Sequence, residues 1–292
     1  MKSFKLYNGV DIPCIGYGTY RTPNTDEGYQ VIKEAIEAGY RHIDTAQGYN
    51  NEHLIGRAIK ESGLPRSDFF ITTKIANVNQ GYQQTLDSFN ESLSKLESDY
   101  VDLLLIHWPI PVGHDDDWQL LNIETWKAME ELYNNKKVRA IGVSNFLIHH
   151  LNNLIENTNI LPMVNQFEFH MKYQQREIVD YCQNKDILVE SWGPLMRGAS
   201  SGNQILELIG KNHKKDVGQV SIRYCLQKKI LPLPKTTNKM RMITNQQVFD
   251  FDLDAGELSI MDSCNTTNCY VFHPDRNNEW QETINKMNEV IQ

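Results

Sequence analysis

The chain has 292 residues, 40% of them hydrophobic, and a formal charge of -8 at pH 7. It carries ample apolar material for one core, while a net acidic surface argues against nucleic acid, whose phosphates select basic faces. Its apolar runs stay below the roughly 18 residues a membrane span needs, and its five scattered cysteines, without metal-type pairing, read as free thiols of a reducing cytoplasm.

The opening segment, MKSFKLYNGVDIP, goes straight into an alternating strand with a turn at Asn8-Gly9. It lacks the apolar region of a signal peptide, so the expected location is the cytoplasm. Short apolar runs then predict strands at 16–19, 42–45, 69–74, 101–107, 139–144, 163–169, 188–192 and 230–234. Between them, helical patterns cover 27–38, 52–62, 85–96, 123–134, 147–157, 174–185 and 218–227. In the third, Leu86, Phe89, Leu93 and Leu96 recur at steps of three and four, which is one face of a helix. Unbroken runs such as "VDLLLIHW" and "FFITT" suit strands covered on both faces, as in a parallel sheet wrapped by helices. Eight strands with crossover helices predict an α/β fold, a (β/α)8 TIM barrel, in one domain over 1–292. The hairpin is expected at the barrel base, with variable loops and the tail 265–292 on or over the barrel and its active site. Trp280, Ile284, Met287 and Ile291 give that tail an amphipathic final helix, expected to pack on the barrel wall.

Active sites of such barrels form at the C-terminal ends of the strands. There the predicted strands place Asp44, Lys74 and His107, and Tyr49 follows in the loop after Asp44. Each has a plain alternative: a helix cap, a surface lysine, a core histidine. Their meeting at one mouth is harder to explain structurally. A tyrosine titrates near ~10 and is a weak acid at neutral pH. An ammonium beside it is expected to lower that value, with a carboxylate holding the ammonium charged. Such a group polarises a carbonyl but brings no electrons, so a cofactor must supply hydride. Asn51 and Glu52 are expected simply to open the next helix.

From 217 to 249 the sequence has no Asp or Glu, yet contains Arg223, Lys228, Lys229, Lys235, Lys239 and Arg241. "LPLPKTTNKMR" leaves the eighth strand and opens a helix, with Thr236, Thr237 or Asn238 as cap, which makes an anion site for a phosphate. The alternative is a basic surface helix. No G-x-G-x-x-G is present, so a dinucleotide mode of the doubly wound kind is unsupported.

"GYRHIDTAQGYNNEHLIG", "LLLIHWP", "IGVSNF", "NQFEFH", "SWGPL" and "LPLPKTTNKMRMITNQQVFDFDL" resemble, in order and spacing, the motifs of the aldo-keto reductase superfamily. The match runs from about Ile15 to Leu253 and is most similar to bacterial diketogluconate and methylglyoxal reductases. The resemblance implies NADPH-dependent reduction of aldehydes or ketones. It makes Tyr49 the general acid, tuned by Asp44 and Lys74, with His107 orienting the carbonyl. It sets Ser144, Asn145 and Gln166 on the nicotinamide amide, Trp192 under the ring, Thr19 beside the ribose, and Asp44 at the same site. Lys235, Thr236 and Arg241 fall on the 2'-phosphate clamp and Asn245 on the adenine. Tyr20, Trp108 and Trp118 are implied to line the substrate pocket. Tyr20 and Ala76 replace tryptophans common in relatives, Thr244 replaces a glutamate, and Met171 a proline.

The expected partner is a small carbonyl compound, with neither nucleic acid nor membrane, and a monomer is expected, with a homodimer as the alternative. A cofactor-binding sensor or structural barrel without turnover is the second reading. A metal-dependent hydrolase would need clustered ligands: His149 and His150 are adjacent and expected to point apart on a helix, and no H-x-H occurs, so no metal is expected.

Overall fold

Why the middle strands are apolar without alternation is plain from their surroundings: all six residues of β5 (Phe70–Ile75) and all six of β6 (Val101–Ile106) are buried. This computed structural model describes residues 2–111, 113–266 and 273–275. β1 (Ser3–Lys5) and β2 (Asp11–Pro13) form the antiparallel hairpin, with Phe4 opposite Ile12. Its turn uses Gly9 at φ 88°, a left-handed conformation that glycine adopts without a Cβ clash.

The other strands are β3 (Tyr17–Gly18), β4 (His42–Asp44), β7 (Val138–Ser144), β8 (Val164–Glu168), β9 (Leu188–Trp192) and β10 (Leu231–Leu233). With β5 and β6 they pair in parallel and in sequence order from β3 to β10. The ends join where Gly16 and Gly18 donate backbone hydrogen bonds to Pro232 and Pro234. A Cβ on Gly16 would lie 2.4 Å from the Leu233 side chain and 2.7 Å from His42 Nδ1, so a larger residue there would push both buried side chains aside. All eight expected barrel strands are present, with ends displaced by a residue or two.

The crossovers are α1 (Asp26–Glu37), α2 (Glu52–Glu61), α3 (Tyr82–Lys95), α4 (Trp118–Asn134), α5 (Ile148–Asn157) and α6 (Arg176–Gln183). α7 (Gln204–His213) and α8 (Val217–Gln227) both lie between β9 and β10, and α9 (Lys239–Thr244) and α10 (Ala255–Ser263) follow the barrel. Three differences from expectation have physical causes. α4 begins at Trp118 rather than near 123, because its buried first turns use Asn122 and Thr125, which a hydrophobic pattern does not register. The Thr125 hydroxyl accepts from the Gly81 N–H at 2.7 Å and donates to the Leu121 carbonyl at 2.8 Å. α7 and α10 were not anticipated: α7 exposes Leu208, and α10 buries only Met261. The expected final helix at 280–291 lies outside the described residues. Cys14, Cys182, Cys225 and Cys264 are free thiols, and Cys269 lies outside the described residues.

The barrel base is held by charge. Asp102, the second residue of β6, is fully buried and accepts from Arg66 at 2.9 Å, Arg139 at 2.6 Å and the Ile71 N–H at 2.9 Å. Removing it would leave the buried Ile71 amide without an acceptor and take the anion from between two arginines. Asp102→Ala should therefore cost on the order of 3 kcal/mol in denaturant unfolding, a loss below ~1 kcal/mol contradicting this account.

Candidate active site

The opposite end of the barrel carries the polar layer. Asp44 closes β4 and Lys74 is the fifth residue of β5, both buried, and their side chains meet inside the mouth. Lys74 Nζ donates to Asp44 Oδ1 at 2.7 Å, to Asp44 Oδ2 at 2.8 Å and to the Thr45 carbonyl at 2.9 Å. All three ammonium protons are thus engaged, and the Nζ sits 5.1 Å from the centre of the Tyr49 ring. The His107 ring meets the same tyrosine edge-on at 5.5 Å. The four residues expected at the mouth do converge there.

The expected electrostatics of Tyr49 needs correction. Burial first, then the Asp44 carboxylate and Tyr20, push the phenol well above its usual value rather than below it. Lys74 cannot offset this, because its charge is neutralised by Asp44 and its protons are already bonded. The phenol is therefore fully protonated at neutral pH, and among the described residues its hydroxyl has no hydrogen-bond partner. His107 moves the other way: burial, then the Lys74 charge, hold it well below the usual histidine range. The mouth presents a protonated phenol beside a neutral imidazole.

The loop carrying Tyr49 is braced on both sides. It is a short helical turn, Gln47–Tyr49, ended by Asn50 at φ 53°. Gln47 Oε1 accepts from the Ala76 N–H and from Asn79, each at 2.9 Å. Asn51 accepts from the Thr45 hydroxyl at 2.7 Å and donates to the Thr19 carbonyl at 3.0 Å. Glu52 is buried and accepts from the Thr73 hydroxyl at 2.6 Å. Asn51 and Glu52 do more than begin α2, because they tie the Tyr49 loop to the end of β3 and to β5.

A second chain of bonds crosses the barrel. Trp192 Nε1 donates to Asn145 Oδ1 at 2.8 Å, which fixes the half-buried indole. Asn145, at φ 64°, donates to the His107 carbonyl at 2.9 Å and to Ser144 Oγ at 3.0 Å. Ser144 donates to the Gln166 carbonyl at 2.9 Å. Gln166 Nε2 then reaches Asp44 Oδ2 at 2.8 Å and Glu190 Oε2 at 2.8 Å. Thr19 is buried and its hydroxyl donates to the Asp44 carbonyl at 2.9 Å. Glu190, on β9, was missed from the sequence. Its only signal was a carboxylate inside a buried strand, "LVESW".

The basic cleft lies after β10. Among the described residues Lys235, Arg241 and Arg21 have no acidic partner, and burial plus the Arg21 charge lower the Lys235 pKa. Asn238 caps α9 by accepting from the Arg241 N–H at 3.0 Å. α9 has only six residues, so anion binding here would rest on side chains more than on a helix dipole. Thr236 is buried, and its Oγ1 accepts from the Asn238 N–H at 3.1 Å. Asn245 is buried, with its side chain against the Tyr40 hydroxyl. Unpartnered cations and the fixed indole fit a phosphorylated dinucleotide.

Around the mouth, the Tyr20 ring lies 5.1 Å from Tyr49 and is half-exposed, and the Trp108 carbonyl accepts from Gln80 at 2.8 Å. Trp118 is turned against His150, 4.8 Å between ring centres, rather than onto Tyr49. His149 and His150, expected to point apart, have ring centres 3.9 Å apart, and both Nε2 atoms face Asp275 Oδ1, at 3.1 and 3.0 Å. These three could surround a metal by distance alone. However, His150 Nδ1 accepts the Leu147 N–H at 3.0 Å, so the neutral ring carries its proton on the Nε2 that faces Asp275. A protonated nitrogen is a donor and not a ligand, and the cluster is tied by the His149–Asp275 hydrogen bond with His150 close to the same carboxylate.

Burial, with the Asp44 charge next, pushes Glu190 up to about 8. The folded chain therefore keeps a proton that the unfolded chain releases above its ordinary value of 4.5, and stability falls as pH rises across that window. Glu190→Gln should gain thermal stability over the wild type progressively from pH 4.5 to 8 and little below pH 4.5; a gain independent of pH would show that Glu190 ionises normally.

The Aldo/keto reductase family profile matches residues 14–266. Glyoxal reductase of Bacillus subtilis is 44% identical over 271 residues, 93% of this chain and 95% of that protein. The 9,11-endoperoxide prostaglandin H2 reductase of Trypanosoma cruzi is 44% identical over 89% of this chain and 90% of its own length. An aldo-keto reductase from a Medee basin deep-sea metagenome superposes with a TM-score of 0.89 at 42% identity, covering 94% of this chain and 99% of that one. A Bombyx mori aldo-keto reductase solved in complex with NADP gives 0.85 at 34% identity, covering 94% and 96%. With a matching profile over most of its length and relatives this similar, the chain belongs to the aldo/keto reductase family.

Proposed function

We propose that Tyr49 is the proton donor of an NADPH-dependent carbonyl reductase, and that His107 holds the substrate oxygen. The observation that carries this is the buried Lys74–Asp44 pair set under a protonated Tyr49, with a neutral His107 beside it. The family's activity, the relatives' names and the NADP bound by the silkworm enzyme support the same reading.

When bound, the reduced nicotinamide supplies the hydride. Everything else falls to the chain. Neutral His107 donates a hydrogen bond to the aldehyde or ketone oxygen and directs it toward the Tyr49 hydroxyl. As negative charge builds on that oxygen, Tyr49 passes its proton over, giving the alcohol. The phenolate left behind is a strong base in this site, and it takes its proton back from solvent at once. A phenol with a raised pKa keeps its proton until the oxygen becomes basic enough to take it. Trp192 offers a face for the nicotinamide, and Ser144, Asn145 and Gln166 surround its amide. Thr19 and Asp44 lie at the ribose end. Lys235, Thr236 and Arg241 hold the 2'-phosphate, and Asn245 the adenine. Tyr20, Trp108 and Trp118 border the substrate, a small carbonyl compound. Among the described residues no helix is long and apolar enough to cross a membrane. We place the protein in the cytoplasm as a monomer.

Tyr49→Phe should reduce kcat at least ~1000-fold with the NADPH dissociation constant within about 3-fold of wild type; undiminished turnover would refute the assignment. NADPH binding without turnover of any dicarbonyl, sugar or aromatic aldehyde by the wild type would favour the sensor reading. Arg241→Ala should raise the dissociation constant for NADPH by roughly tenfold or more while leaving that for NADH almost unchanged. Equal losses for both cofactors would remove Arg241 from the 2'-phosphate site.

A further inference from the structure

Gln166 is held in an unusual way. A glutamine amide has two N–H protons and one acceptor oxygen, and both protons here face carboxyl groups: Asp44 Oδ2 and Glu190 Oε2, each at 2.8 Å. Asp44 comes from β4 and Glu190 from β9, next to Gln166 on β8, where Gln166 and Glu190 are paired in register. Flipping the amide would set its oxygen against two carboxyl oxygens, so its orientation is dictated by the surroundings.

We propose that Glu190 is a positioning residue of the cofactor site: with Asp44 it engages both protons of Gln166, so that the amide offers only its oxygen to the nicotinamide carboxamide. The inference rests on the reading of Gln166 as a nicotinamide contact. An acceptor oxygen there recognises the carboxamide NH2 and fixes which way the carboxamide, and with it the ring, lies on Trp192. Glu190 does this as the neutral acid. Lys74 already neutralises Asp44, and a second carboxylate in the same buried layer would leave one uncompensated negative charge. Asp44 and Lys74 are the charged groups that act on it. Its Oε1 is buried without a partner, as suits an uncharged group better than an ion.

The test compares NADPH with reduced 3-acetylpyridine adenine dinucleotide phosphate, which has a methyl in place of the carboxamide NH2. Dissociation constants come from quenching of tryptophan fluorescence, and the ratio of the two is followed across variants, so intrinsic differences between the cofactors cancel. Glu190→Leu releases one Gln166 proton and lets the amide turn, and the preference for NADPH should fall about 5- to 10-fold. Glu190→Gln presents an amide oxygen where the neutral acid presented its carbonyl, and should restore the ratio to within about 2-fold of wild type. A merely space-filling Glu190 would leave the ratio where it was in Glu190→Leu, and that result overturns the proposal. So does a Glu190→Gln protein that discriminates no better than Glu190→Leu. Should Glu190→Leu not fold, Gln166→Leu deletes the oxygen itself, and a wild-type ratio in that variant overturns the proposal. Wild-type protein that fails to bind NADPH overturns the reading of the whole site, whereas normal NADPH binding with an unmoved ratio overturns the role of Glu190 alone.

Discussion

Everything at the mouth is arranged around one buried ion pair, Lys74 with Asp44. An ammonium taken out of water is costly unless its charge is balanced and its protons are bonded, and Lys74 meets both conditions within 2.9 Å. Because Lys74 is saturated, it acts on Tyr49 and His107 only through its field. Asp44 is shared in turn, since its second oxygen also accepts from Gln166 across the barrel. The pair thus lies beneath the proposed proton donor and beside the proposed cofactor contact Gln166, and disturbing it must disturb both.

The two ends of the barrel use buried charge differently. At the base, Asp102 is ringed by two arginines and a backbone amide, and the arrangement holds strands and loops together. At the mouth the charges are fewer and the hydrogen bonding is left incomplete, with Glu190 Oε1 buried without a partner among the described residues. Unsatisfied polar groups cost stability, and at the mouth ligand atoms can complete the network. The cations after β10 show the same thing in charge, as a basic strip without acids in a chain of net charge -8.

Much of this was legible from residue order. Alternating apolar runs located all eight barrel strands, because strands buried on both faces must be apolar throughout. Asp44, Lys74 and His107 stood out because polar residues at successive strand ends have no role in a core. Legibility failed where burial is polar or where a helix lacks an apolar stripe: α4 hides Asn122 and Thr125, and α10 buries a single methionine. Glu190 was passed over for the same reason, since "LVESW" reads as a strand whatever its acid does.

Sequence by itself determined the fold class, the family and the identity of the residues at the mouth, since those depend on periodicity and on spacing along the chain. Only the tertiary structure decided how they are charged and which way they face. The pKa of Tyr49 rises because the ring is taken out of water beside the Asp44 carboxylate, and His149 and His150 converge because Asp275, 125 residues from the nearer, sits between them. Such properties follow from through-space distance and exclusion of water, and neither is written in the order of residues along a chain.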